Sequence, residues 1–95
     1  MADNVLSKNL KTVRAVMGLN QFEFADLMGV PRTTYAHHEQ GNSEPSLSFM
    51  QRLIKVTGKP LESFISSDLA AIPEEELRKD IMAAAARFAS KANIS

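Results

Sequence analysis

The stretch "RTTYAHHEQG", Arg32 to Gly41, gathers a guanidinium, two alcohols, a phenol, two adjacent imidazoles and a carboxylate within ten residues. Metal binding, catalysis and surface recognition are the chemistries such a set suggests. Helical zinc pairs place their histidines at i and i+4, on one face. His37 and His38 are direct neighbours, about 100° apart around a helix, and the chain has no third histidine and no cysteine. No metal site is expected. Serines are plentiful, but none lies in a nucleophile-elbow sequence, and no glycine-rich phosphate loop is present. The run Glu74–Glu76 reads as a solvated first helical turn rather than an acidic catalytic cluster. We therefore expect no enzyme and no cofactor, which leaves recognition by a helix surface.

The elements that would carry this stretch are all helical. Leu6, Leu10, Val13 and Met17 share one helical face, with Asp3 or Asn4 as cap and Gly18 as stop. A short second segment runs from Gln21 to Met28. Asn20 and Glu23 open it as a capping box, with Asn in place of the usual Ser or Thr, and Gly29 ends it. The third segment spans about Pro31 to Gln40. Pro31 suits a first turn, because its missing N–H would be unpaired there anyway, and Gly41 is the stop. Two short helices joined by so tight a turn form a helix-turn-helix pattern.

"GNSEPS" reads as a loop. A fourth helix follows, from the cap Ser46 to about Thr57, with Leu47, Met50, Leu53 and Ile54 facing one way. A fifth, Pro60 to Ile65, is short. "SSDLAA" reads as a linker. The last segment, Glu74 to Ala92, is longer, about 28 Å at 1.5 Å per residue. Glutamates fill its first turn, and Arg87 and Lys91 sit near its end, as the helix dipole favours. Leu77, Ile81, Ala84, Ala85, Phe88 and Ala92 form an apolar stripe on it. Leu77, Ile81, Ala84, Ala85 and Phe88 are candidates for dimerisation or for bracing the domain. The division expected is a domain over 1–66, a linker over 67–72 and a C-terminal helix over 73–95. No segment alternates as a strand does.

Composition sets the outer limits. The chain has 95 residues, 44% of them hydrophobic, enough for one domain. No apolar run approaches the roughly 18 residues of a membrane span, and "MADNVLSKNLKTV" lacks a signal peptide's apolar stretch. A soluble, cytoplasmic protein is expected, with no membrane partner. Formal net charge is zero, which by itself argues against a nucleic-acid binder. Residues 1–59 carry seven basic and five acidic side chains, and residues 60–95 carry four and six. That asymmetry is too mild to decide function.

The joint spacing of several short motifs is more specific. They are "GLNQ" before the second helix, "FA" within it, the "MGV" turn, and "EQG" with Pro45 four residues later. An apolar-patterned helix and "GKPLESFI" complete the set. Over about residues 6–65, roughly two-thirds of the chain, this resembles the Cro and phage-repressor (Xre-type) helix-turn-helix family. The resemblance implies an all-α, five-helix lambda-repressor-like domain, here followed by a C-terminal amphipathic helix. It implies a homodimer on double-stranded DNA with a palindromic operator, and a third helix that enters the major groove.

Carried over residue by residue, the base-contact positions are Arg32, Thr33, Ala36 and His37. Arg32 is the strongest reader, because a guanidinium takes guanine O6 and N7 together. Thr33 offers a hydroxyl and a methyl, Ala36 only apolar contact, and His37 an imidazole. Phosphate contacts fall to Gln21 at the start of the second helix, then to Asn20, Asn42 and Ser46, with Ser48 beside them. Arg14 and Glu39 match an ion pair between the first and third helices. His38 stands where the family places a large inward side chain, and is expected in the core. The loop "NSEPS" departs from relatives that are basic there. With zero net charge, this implies weak nonspecific binding and a shallow salt dependence. The alternative is a protein-binding adaptor or antitoxin-like partner that retains the fold, for which Phe22 and Leu27 would matter if they face outward.

Overall fold

The computed structural model describes the backbone of residues 4–94 and the side chains of residues 4–89. Asp3, and the side chains of Lys91 and Ala92, lie outside the described residues. Six α-helices run in order: α1 Val5–Met17, α2 Gln21–Met28, α3 Arg32–Gln40, α4 Leu47–Thr57, α5 Leu61–Ser66 and α6 Glu74–Ile94. No strand occurs among the described residues. The architecture is all-α, as expected.

The helix boundaries follow local chemistry. Asn4 caps α1 by accepting from the Ser7 N–H. Asn20 and Glu23 form the complete reciprocal capping box at α2. Ser46 accepts from the Phe49 N–H at α4. Pro31 sits one residue earlier than expected. It is the N-cap of α3, extended at φ −62° and ψ 149°, and α3 begins at Arg32. Pro60 plays the same part for α5.

Leu10, Val13, Phe24, Tyr35, Phe49, Leu53, Val56 and Phe64 form the centre of the core. Each buried aliphatic or aromatic side chain contributes about 1.5–3 kcal/mol. Phe24 and Phe49 flank Tyr35 with ring centroids at 5.1 and 6.5 Å. The three rings fasten α2, α3 and α4 together at one point.

One expectation needs correction. The segment 67–72 is not a loose linker. It forms a 3-10 turn at Leu69–Ala71, and Leu69 is buried. Asn9 of α1, itself fully buried, holds this segment in place. Its Oδ1 accepts from the Leu69 N–H at 2.9 Å, and its Nδ2 donates to the carbonyls of Phe64 and Ser67 at 2.8 and 2.7 Å.

The stripe on α6 packs on its own domain. Leu77, Ile81 and Ala84 are buried by this chain itself, as α6 packs on α1 and α4. Ala85 and Phe88 are half-buried, and Phe88 packs against the core. The buried residues of the stripe brace the domain, one of the two roles expected of it.

Helix α6 comes close enough to constrain α4. Gly58 ends α4 at φ +71°, and a methyl there would lie 2.8 Å from the Ala84 Cβ. Gly58→Ala therefore meets both a left-handed backbone, about 1–2 kcal/mol for an L-residue, and a collision across the α4–α6 contact. Movement of α6 relieves part of the collision. The expected loss is about 2 kcal/mol in urea unfolding. An unchanged midpoint would show that α6 does not bear on α4 there.

Candidate nucleic-acid interface

Helix α3 carries an inward and an outward face. Tyr35, His38 and Glu39 are buried, whereas Arg32, Thr33 and His37 are exposed and Ala36 is half-buried. The histidine doublet thus divides as expected. His38 turns inward, with its Nδ1 2.9 Å from the Ser43 hydroxyl and its ring edge-on to Phe49 at 5.1 Å. His37 faces outward from the helix. Among the described residues no group of three ligating side chains could hold a metal ion.

Glu39 is the anchor of the inward face. Arg14 Nε and Nη2 donate to its two oxygens at 2.7 and 3.2 Å, and Gln21 Nε2 donates at 3.0 Å. The Tyr35 hydroxyl donates to it as well. Arg14 spends a further N–H on the Leu19 carbonyl at 3.0 Å. The pair joins α1 to α3, with Glu39 3% exposed and Arg14 24%. Burial pushes the Glu39 carboxyl up. The hydrogen bonds from Arg14, Tyr35 and Gln21 outweigh it and hold the group below the usual carboxylate range. The carboxylate raises the Arg14 guanidinium in turn, against a smaller effect of burial. Burial first, and then the bond to Glu39, push the Tyr35 phenol up.

On the outer side, Arg32 Nη1 donates to Gln21 Oε1 at 3.2 Å. The structure therefore brings together two residues assigned to different tasks, a base reader and a phosphate contact. Gln21 is less free than expected, but one amide hydrogen remains after Nε2 has served Glu39. The other phosphate candidates are exposed and partly engaged. Asn20 is occupied as the α2 cap. Asn42 donates to the Gln40 side chain at 2.9 Å. Ser46 caps α4 and lies 3.1 Å from the Ser48 hydroxyl. Ser46 and Ser48 share a cleft of about 380 Å³ with Gly29 and Val30 of the turn, and with Arg52 and Lys55.

Arg52 had no assigned role in the sequence reading. Its Nε donates to the Leu27 carbonyl at 2.7 Å, at the end of α2. Its guanidinium lies 5.2 Å from the centroid of the Phe88 ring. One side chain thus ties α2, α4 and α6. Nothing local marks it, because its partners lie 25 and 36 positions away.

A helix-turn-helix family model matches residues 10–64, more than half the chain. The chain belongs to the Xre/Cro-type helix-turn-helix family. The family is one of non-enzymatic DNA-binding proteins. Among curated proteins, the chain is similar to the cryptic phage CTXphi transcriptional repressor RstR of Vibrio cholerae. The two are 31% identical over 71 residues, which is 75% of this chain and 64% of that protein. It is also similar to the HTH-type transcriptional regulator PuuR of Escherichia coli (strain K12), at 35% over 68 residues, 70% of this chain and 37% of that one. The Shigella flexneri PuuR gives the same figures. The chain thus spans less than two-thirds of the length of these relatives. No solved structure gives a significant match. Within the family assignment, α2 and α3 are the helix-turn-helix pair, joined through Gly29, Val30 and Pro31. No helix among the described residues is long and apolar enough to cross a membrane.

Proposed function

We propose that this chain is a sequence-specific double-stranded DNA-binding transcriptional regulator, a repressor acting as a homodimer in the cytoplasm. Helix α3 enters the major groove, and Arg32 reads guanine through O6 and N7. Thr33, Ala36 and His37 complete the base-facing surface. Gln21, Asn20, Asn42 and Ser46 set the docking register on phosphates. The observation that carries this reading is the exposed guanidinium of Arg32 in the first turn of a helix that Glu39 and Tyr35 clamp to the core. A rigid helix with an exposed outer face is what base readout requires. The family membership supports DNA as the target, and the printed name of the Vibrio relative supports repression. The dimer addresses two half-sites about one DNA turn apart.

Selection from random duplexes, read by anisotropy at two salt concentrations, tests the reading. A palindromic sequence should enrich, with two chains per duplex by sedimentation. Because the formal net charge is zero, the salt slope should be shallow for a DNA binder. Arg32→Ala should then relax specificity at one base pair per half-site by about 1–3 kcal/mol. A loss spread evenly over all sequences would make Arg32 a phosphate contact instead.

One observation favours the second reading, a protein-binding adaptor. Phe22 on α2 is 66% exposed, more than packing would leave a phenylalanine, whereas Leu27 packs against the core. If no duplex enriches at low salt, the adaptor reading replaces the first.

A further inference from the structure

We infer that α6 belongs to the DNA-binding unit, because Phe88 positions Arg52 and Arg52 fixes the turn between α2 and α3. This rests on the reading of that helix pair as the DNA-binding element. It extends the element past residues 10–64, where the family match ends. The geometry is a relay of three groups. The Arg52 guanidinium lies over the Phe88 ring, 5.2 Å from its centroid, and Arg52 Nε donates to the Leu27 carbonyl at 2.7 Å.

The end of α2 needs what Arg52 supplies. A helix leaves its last carbonyls without partners of its own. Here the Gly29 and Val30 N–H groups turn back to the Asp26 and Ala25 carbonyls, so neither serves Leu27. The last turn of α2 has no basic residue, and the negative end of the helix dipole favours a cation. Arg52 brings both the donor and the charge across from α4. Its guanidinium also lies against the turn, since a methyl on Gly29 would meet its Nε and Cζ at 3.9 Å. Helix α3 begins at Arg32, just beyond this turn. What holds the turn therefore sets the angle at which α3 leaves α2.

Arg52 is itself exposed, and a solvated arginine samples many rotamers. The Phe88 ring attracts the guanidinium, within the roughly 6 Å over which such contacts act, and keeps it over the end of α2. A turn held before docking loses less freedom on the duplex than one that must be stilled there. The relay acts through the backbone, so it changes affinity for every duplex and not the choice of base.

The full chain carrying Phe88→Leu, Phe88→Tyr, Arg52→Ala, or Phe88→Leu with Arg52→Ala should be titrated with the selected duplex at two salt concentrations. Melting curves show that each variant is folded, and amide exchange at Gly29 and Val30 is followed in the free proteins. Phe88→Leu keeps an apolar side chain but removes the ring. It should weaken duplex binding about two- to fivefold and speed exchange at the turn. Phe88→Tyr should match the wild type in both. In the Arg52→Ala background, Phe88→Leu should change neither any further. A role in the core alone gives Phe88→Leu the same effect with or without Arg52, and that additivity would overturn the inference. So would a duplex affinity that Phe88→Leu leaves unchanged, or a salt slope lowered by about one in Arg52→Ala, which marks a phosphate contact. A wild type that selects no duplex sinks the DNA reading first and the inference with it, and exchange at the turn then reports a tie within the fold only.

Discussion

Glu39→Ala is expected to lower the unfolding free energy by about 4 kcal/mol, within the range for breaking one partner out of a buried ion pair. The cause is what stays behind. Arg14 remains against the Leu19 carbonyl without its counter-charge, and the buried Tyr35 hydroxyl loses its main acceptor. Gln21 loses the group that orients it. At about 4–8 °C per kcal/mol for a domain of this size, the melting temperature should fall by well over 10 °C. Glu39→Gln should fall between the two, because it keeps size and some hydrogen bonding but not charge.

The same carboxylate gives the effect a pH signature. Folding lowers the Glu39 pKa below its ordinary carboxylate value. Its contribution is therefore complete above the unfolded pKa of about 4.3, and is lost as pH falls toward the folded value. The stability difference between wild type and Glu39→Ala should stay constant from pH 7 to about 5.5 and narrow below about 4.5. A difference that stays constant into strong acid, or a melting temperature unchanged by the substitution, would mean that the pair does not hold α3.

Asn9→Ala carries the second large effect, about 3 kcal/mol. The substitution leaves the Leu69 N–H without its acceptor, and the Phe64 and Ser67 carbonyls without the amide. An unpaired buried polar group costs about 1–3 kcal/mol, and entering water can relieve the outermost of the three. Asn9→Asp separates the two sides of the interaction. It keeps the acceptor for Leu69 but sets a charge against two carbonyls, so it should also destabilise strongly. If Asn9→Asp were neutral in urea unfolding, the Leu69 contact alone would account for the site. Loss of this staple should free the 3-10 turn, seen as faster amide exchange at Leu69 before global unfolding.

These two residues also mark how far the sequence was legible. Period, caps and stops located every α-helix to within a residue or two, because those signals are local: Asn20 with Glu23, Ser46 before Phe49, and Gly18, Gly29, Gly41 and Gly58 at helix ends. The division of the histidine doublet followed from helical geometry. The Arg14–Glu39 pair came through the family resemblance, and its geometry agrees. Asn9 went unnoticed, although it lies three residues after Leu6 and four before Val13, on the face that packs. A polar residue inside an apolar stripe is a readable sign of a buried staple, but its partners, 55 to 60 positions away, are not. The link from Gln21 to Arg32 was invisible for the same reason. The stripe on α6 was equally suited to a second chain or to its own domain. Its own domain takes Leu77 and Ile81, through long-range packing on α1 and α4 that periodicity does not encode.

We propose that α3 reads guanine in the major groove through Arg32. Scanning the selected duplex with 7-deazaguanine tests it most directly, since this base pairs normally but lacks the N7 acceptor. One guanine per half-site should be sensitive, with affinity falling about fivefold or more for the wild type and not at all for Arg32→Ala. Tight binding with no guanine sensitive to the loss of N7, or the same sensitivity in Arg32→Ala, would contradict it.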